Sequence, residues 1–480
     1  MSLRMIAPLF AAIAVVPPAV ALADGAVPAP TKLPAYMTPE ELHLKEMKSL
    51  DLPGAAGTEL NEPPLAIPGM TPGGEFEHVD AVAFGWVSYG GTIDDMFASM
   101  GAALDGRAEV YFMVQSFFEP TARAMLANVG VDVDSPNTTV HLFRSSLDTV
   151  WLRDYGPIWV KNPLGRSIMV NPIYYGGDQR PNDDDIPYYL ATKLDMPITS
   201  PTHDIEGGNF QANGNGLCIM SNWAIEENWY RYPGWTEADL VDVMTTYYGC
   251  SDVLVVQRMA REGTGHVDMW LAFIDEDHAL VGQYDPGIDD ENMAILDANA
   301  AVLDGYGLPG GGTLSVSRIP MPESDCLCGD GSMNCCVWRT YTNVVYVDSA
   351  VLVPTYRDND PVREAAALSV WANEQPDRDI IPIDADEIIY LAGAIHCVSQ
   401  TWSWGEPAPA SSASCADGTA TNCGPPADEF ATVSDVPPLE KGCSVARVAG
   451  RTHAAGLLGL AALAALTLGG TLATRRRRAR

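Results

Sequence analysis

Residues 81–114 read AVAFGWVSYGGTIDDMFASMGAALDGRAEVYFMV. The opening run, 81–87, is apolar without a break and has the length of a buried strand. Met96, Phe97, Met100, Ala103 and Leu104 then recur at helical spacing, and Thr92 or Asp94 is the expected cap. A second apolar run, 109–114, is again a strand. Strand, helix and strand in this order define an α/β pattern.

The alternation continues outward. A helix is expected over 120–129, stopping at Gly130, and a strand over 138–143. Further helices are expected over 186–194, 237–247, 291–303 and 361–371. Strands are expected over 253–256, 269–273, 343–347 and 351–353. No internal sequence repeat is visible. The folded domain is placed at 76–405, long enough to bury a sizeable core. Residues 24–75 are rich in Pro, Ala, Gly and Glu and are expected to be a leader or linker on the surface. Residues 406–441, with Pro, Ala, Ser and Gly, are expected to link the domain to a tail.

Both ends carry processing signals. Arg4, the apolar run 5–20 and Ala21-Leu22-Ala23 before Asp24 predict a secretory signal peptide over 1–23. At the other end, 454–474 is uncharged and rich in Leu and Ala, and Arg475-Arg476-Arg477-Arg478-Ala479-Arg480 follows. That length spans a bilayer, with the arginines on the cytoplasmic side. With Gly442-Cys443-Ser444 ahead of it, the segment 442–480 resembles the tripartite sorting tails of myxobacterial surface proteins. That resemblance implies processing or lipidation at Cys443 and loss of the tail. A plain membrane anchor is the other reading. Either way, an exported protein at the cell surface is expected, bound to the membrane until processed.

The formal net charge is −34, and the tail 442–480 holds seven of the arginines and no acid. Nucleic acid is repelled by such a surface, whereas guanidinium compounds and basic peptides are attracted. The ten cysteines suit an oxidising compartment. Setting aside Cys397 and Cys443 leaves an even number for disulfides. Cys326, Cys328, Cys335 and Cys336 surround Gly329-Asp330-Gly331 with no histidine nearby, so a stapled surface loop is expected rather than a zinc site. Cys415 and Cys423 read as a small loop bridge.

Four polar signatures carry chemistry: Trp151-Leu152-Arg153-Asp154-Tyr155-Gly156-Pro157, Asp204-Ile205-Glu206-Gly207-Gly208-Asn209-Phe210, Gly263-Thr264-Gly265-His266-Val267-Asp268-Met269, and Gly393-Ala394-Ile395-His396-Cys397-Val398-Ser399-Gln400. Each alone has an ordinary structural reading. His266 and Asp268, two apart, would face one side of a strand. Together they supply a thiol, an imidazole and carboxylates. A guanidinium carbon is a poor electrophile because its charge is spread over its nitrogens. Carboxylates can hold that plane by paired hydrogen bonds. A thiolate can then attack it, and a histidine can protonate the departing amine and later deprotonate water.

These motifs, together with Tyr341-Thr342-Asn343 and Leu352-Val353-Pro354, resemble the agmatine deiminase and Porphyromonas-type peptidylarginine deiminase family of guanidino-group modifying enzymes. The resemblance runs from about Phe76 to about Gly405. It implies a five-bladed pseudosymmetric α/β propeller, or pentein, of ββαβ-type modules. It also implies Cys397 as nucleophile, His266 as general acid and base, Asp154 and Asp268 gripping the guanidinium, and Glu206 orienting the histidine. Asn209, Asn343 and Trp151 are implied as pocket residues. Gln179-Arg180-Pro181-Asn182 is similar to a segment whose arginines clamp a substrate carboxylate, with Asp178 where a second arginine would stand. The family chemistry needs no metal or organic cofactor. The loop 322–338 is a candidate to cover or shape the pocket. Expected substrates are agmatine or peptidyl-arginine, giving the ureido product and ammonia through an amidino-cysteine. An amidinotransferase, a non-catalytic surface binding protein and a cysteine peptidase are alternatives. The last is disfavoured, because carboxylates beside the thiol oppose an oxyanion.

Overall fold

A computed structural model describes residues 32–39, 41–42 and 69–404, except 164–165, 178, 327–335 and 358–359. The predicted signal peptide 1–23, linker 406–441 and tail 442–480 lie outside the described residues, as do Cys328, Cys335, Cys415, Cys423 and Cys443. So does the centre of the loop 322–338.

The chain repeats one topological unit. After β1 (Thr71–Pro72), β2 (Ala81–Trp86) is followed by α1 (Gly91–Leu104) and by β3 (Glu109–Val114), which lies parallel to β2. A second crossover, α2 (Glu119–Asn128), leads to β4 (Val140–Arg144), parallel to β3. Every residue of β2 is buried, which is why its sequence is an unbroken apolar run. Trp86 stacks on Phe97 at 5.5 Å and meets Phe112 edge-on at 5.1 Å, joining α1 to this sheet.

The short helix α3 (Leu152–Tyr155) introduces the antiparallel pair β5 (Ile158–Lys161) and β6 (Ser167–Val170). Helices α4 (Pro181–Asp184) and α5 (Ile186–Leu194) lead to β7 (Ile198–Thr199), parallel to β6. Next come β8 (Gln211–Ala212) and β9 (Leu217–Ser221), antiparallel, then α6 (Trp223–Arg231), α7 (Glu237–Tyr247) and β10 (Asp252–Val256), parallel to β9. The fourth unit is β11 (Leu271–Asp275), β12 (His278–Gln283), α8 (Asp290–Leu303) and β13 (Ser315–Pro320). After the ribbon β14 (Asp325–Cys326) and β15 (Cys336–Val337), the fifth is β16 (Val345–Val347), β17 (Ala350–Thr355), α9 (Pro361–Glu374) and β18 (Asp379–Asp384). The last strand, β19 (Ser399–Trp402), pairs antiparallel with β2 and gives the first sheet its missing partner. Each of the five larger sheets is thus a ββαβ module, and the C-terminal strand closes the set on its beginning.

Several sequence expectations shift. α1 has no side-chain cap, and its N-cap is Gly90 at φ 73° rather than Thr92 or Asp94. Asp94 instead accepts from Trp86 Nε1, the Ser88 hydroxyl and the backbone N–H groups of Tyr89 and Gly90. Its charge sits in the first helical turn, where the helix dipole favours it. Residues 269–270 are not strand, because Val267–Met269 is a 3₁₀ turn and β11 begins at Leu271. The expected surface leader 24–75 is in part integral to the domain. Ala35 is 3% exposed and belongs to the main core cluster. Cys218 and Cys250 form a disulfide that ties β9 to the entry of β10, and Cys336 is also disulfide-bonded.

Candidate active site

The four signatures occupy equivalent places in the fold. Asp154 lies in α3, ahead of β5. Glu206 and the turn Gly207–Asn209 precede β8. His266 and Asp268 precede β11, and Cys397 precedes β19. Asn343 precedes β16. Each is therefore on the segment entering the first strand of a module. The topology brings together residues that the sequence holds far apart.

The convergence is tight. Cys397 Sγ is 3.2 Å from Asn343 Nδ2 and 3.6 Å from Asp268 Oδ2. His266 Nε2 is 3.1 Å from Glu206 Oε2, and its Nδ1 is 3.6 Å from Asp154 Oδ1. Gly208 marks the meeting point. A Cβ there would lie 2.5 Å from His266 Nδ1, 2.9 Å from Asp154 Oδ1 and 3.2 Å from Asp268 Oδ2. Only a glycine leaves that space open. Cys397, Asp154, His266 and Asp268 are all at most 2% exposed. Even so, both Asp154 carboxylate oxygens, Asp268 Oδ1 and His266 Nδ1 have no hydrogen-bond partner. Buried carboxylate oxygens are normally satisfied, so Asp154 and Asp268 are set up for donors that a ligand brings.

A layer behind these groups was not anticipated as functional. His396 Nδ1 is 2.7 Å from Asp268 Oδ2, and its Nε2 is 2.6 Å from Glu75 Oε2. Arg153 pairs with Glu75, and its backbone N–H donates to the Cys397 carbonyl at 3.0 Å. Gln400 Nε2 in turn donates to the Arg153 carbonyl at 3.1 Å. His396 and Arg153 stand inside the quoted motifs, but Glu75 gave no sequence signal. A small cleft opens on this side, lined by Glu75, Arg153, Gly207, Gln400 and Trp402 among others. None of the four convergent groups lines it, so it is not the guanidinium site.

Electrostatics follow from burial and crowding. Burial opposes a charged His266 ring, but Asp154, Glu206 and Asp268 outweigh it and push its pKa up to about 10. Burial, with Glu206 and Asp268 nearby, raises Asp154. Burial and the charges of Asp268 and Asp154 push the Cys397 thiol well up. Burial would raise Glu75 too, but Arg153 and His396 overcome it and hold it at about 2. These shifts favour a neutral thiol and a protonated histidine.

Other expected pocket residues have different duties. Asn343 Oδ1 accepts from the backbone N–H groups of His396 at 2.9 Å and Cys397 at 3.3 Å, so it holds the Cys397 loop. Asn209 Oδ1 accepts from Ser221 N–H, while its Nδ2 lacks a partner. Trp151 donates through Nε1 to the Leu33 carbonyl, and its ring edge lies against Gly393. Arg180 is not a free carboxylate clamp. It is fully buried and paired with Glu41.

The comparisons bear on the family and the fold. The chain is 24% identical over 301 residues to the agmatine deiminase of Stutzerimonas stutzeri, covering 58% of this chain and 79% of that protein. It resembles the solved agmatine deiminase of Enterococcus faecalis at TM-score 0.60 and 20% identity, covering 69% of this chain and 95% of that one. A C. jejuni agmatine deiminase, solved with substrate bound, matches at TM-score 0.58 and 16% identity over 70% of this chain and 97% of that one. These structures share the fold, and the five ββαβ modules are the blades of the pentein α/β propeller. The sequence profile of the Porphyromonas-type peptidyl-arginine deiminase family matches residues 74–402, and the chain belongs to that family of hydrolases, which act on the C–N bonds of guanidinium groups.

Proposed function

We propose that this chain hydrolyses the guanidinium group of agmatine or an arginine side chain to the ureido product and ammonia, with Cys397 as nucleophile. The observation that carries this reading is the set of unpartnered carboxylate oxygens around the thiol: Asp154 Oδ1 and Oδ2 and Asp268 Oδ1. A guanidinium offers several N–H donors in one plane with a positive charge, which is what such acceptors lack.

The chemistry follows from the charges. A bound cation favours ionised Asp154 and the Cys397 thiolate, and the thiol proton leaves as it binds. The thiolate adds to the guanidinium carbon. His266, already protonated, gives its proton to one nitrogen, the C–N bond breaks and ammonia departs. An amidino-thioether remains on Cys397. The neutral His266 then takes a proton from water, the hydroxide adds to the carbon, and the C–S bond breaks. Cys397 leaves as thiolate, and the ureido product sheds its extra proton. Glu206 keeps His266 oriented, and Asn343 keeps the sulfur in line.

The test is ammonia release by the purified chain on agmatine, free arginine and arginine peptides. Stoichiometric ammonia with the ureido product is expected, and Cys397→Ala should be silent. Transfer to an added amine without ammonia would mean an amidinotransferase instead.

We also propose that the protein is exported and held at the cell surface by its C-terminal segment before processing. The end segments and the Cys218–Cys250 disulfide support this. Among the described residues no helix is long and apolar enough to cross a membrane, and 454–474 lies outside them. Fractionation of cells producing the full chain should find it in the envelope with this pair oxidised. A reduced, cytosolic product would overturn the proposal.

A further inference from the structure

The catalytic groups are sealed from solvent, and a segment from far upstream in the sequence lies across the loops that carry them. The Ala35 N–H donates to the Leu391 carbonyl at 2.8 Å, just ahead of the Gly393–Cys397 loop. The Leu33 carbonyl accepts from Trp151 Nε1 at 2.9 Å, beside the Asp154 loop. The Tyr36 ring covers Gly263, where a Cβ would come within 2.7 Å of it, on the approach to His266. One short stretch thus touches the approaches to Cys397, Asp154 and His266.

Its far end is fastened by charge. Glu41 Oε1 and Oε2 accept from Arg180 Nε at 2.9 Å and Nη2 at 3.0 Å. The Tyr36 carbonyl and the Tyr174 hydroxyl complete the guanidinium's contacts, each at 3.0 Å. Thr38 and Glu41 brace each other, with Thr38 N–H to Glu41 Oε2 at 2.7 Å and Glu41 N–H to Thr38 Oγ1 at 3.3 Å. Burial would raise the Glu41 carboxyl, but its bonds to Arg180 lower it. A cation as buried as Arg180 needs such a partner, and removing one side strands the other.

We propose that residues 33–39, with 41–42, form a strap that closes the substrate-entry side in cis, that the Glu41–Arg180 pair is its latch, and that the latched strap selects small guanidinium compounds over arginine within a polypeptide. The inference rests on the deiminase reading. The strap lifts to admit any ligand. A slender ligand lets it close again and restore the dry site. A polypeptide backbone begins about 6 Å from its guanidinium carbon, from bond lengths near 1.5 Å. It would hold the strap open, so water would weaken the electrostatics on which turnover depends.

The test uses the full chain, with agmatine and a peptide bearing an internal arginine as probes. In Glu41→Gln, the ratio of kcat/KM for peptide over agmatine should rise about tenfold or more. A second variant, Ala35→Cys with Leu391→Cys, ties the strap down. Oxidised, it should lose about tenfold or more on both substrates and regain it on reduction, while the wild type treated alike is unchanged. An unchanged ratio in folded Glu41→Gln, or full activity of the oxidised double variant, overturns the strap while ammonia release upholds the deiminase reading. If no substrate yields ammonia, that reading fails. Agmatine binding to the oxidised variant, followed by tryptophan fluorescence, then decides the strap, and undiminished binding overturns it.

Discussion

His396 Nδ1 lies 2.7 Å from Asp268 Oδ2, and this contact leaves Oδ1 as the Asp268 atom without a partner. The immediate neighbour of Cys397 in sequence thus fixes the carboxylate that faces the sulfur. His396→Ala should lower kcat/KM by about 10- to 100-fold, the cost of removing one charge-assisted hydrogen bond. KM should carry most of the loss, because the Asp268 grip loosens. A steady-state assay on agmatine checks this.

Cys397→Ala and His266→Ala should each abolish ammonia release, since on the proposed mechanism one forms the bond to carbon and the other moves both protons. Asp268→Asn should mainly raise KM. Circular dichroism and thermal melts should show all three folded. Turnover in Cys397→Ala would end the covalent scheme.

Gly208→Ala should be nearly inactive though folded. The added methyl would stand 2.5 Å from His266 Nδ1 and 2.9 Å from Asp154 Oδ1, where the ligand belongs. We expect a loss of at least about 100-fold, as for a small misplacement of reacting groups. Agmatine should also fail to protect this variant against heat.

Binding should release protons. Burial and the nearby carboxylates push Asp154 up to about 8, and a guanidinium cation would pull it down again. At pH 7 agmatine binding to Cys397→Ala should therefore release up to about one proton, and affinity should climb as pH rises towards 8. Calorimetry in two buffers of different ionisation enthalpy measures this. His266, raised to about 10, gives the opposite trend in stability. Its contribution is complete below about 6.5 and is lost as pH rises through about 10. The melting temperature of the free enzyme should fall across that window.

Cys218→Ser with Cys250→Ser should destabilise the fold by about 3–4 kcal/mol, the chain-entropy value for a loop of this length. The bonded pair is 32 residues apart and joins β9 to the entry of β10. A chemical denaturation curve checks it, and kcat should stay near the wild-type value.

Much of the site was legible because its residues stand in compact polar motifs. The five helices expected over 120–129, 186–194, 237–247, 291–303 and 361–371 all appear, with ends displaced by a few residues at most. The modular repeat was hidden because it resides in topology. β7 and β8 have two residues each, too short for any periodicity to register. The His266–Asp268 pair misled as a strand because its turn places both side chains in the site without pleating. Glu75 lies 321 residues from His396, and Glu41 lies 139 from Arg180, so neither partnership shows in local pattern.

The closing strand gives the fold a chronology. β19 begins two residues after Cys397, and its pairing with β2 completes the first sheet. A nascent chain that has not yet delivered residue 402 can assemble four complete modules and every carboxylate, yet it has no seated sulfur. On the proposed mechanism activity waits for this strand, so a chain that stops short of Cys397 has no nucleophile.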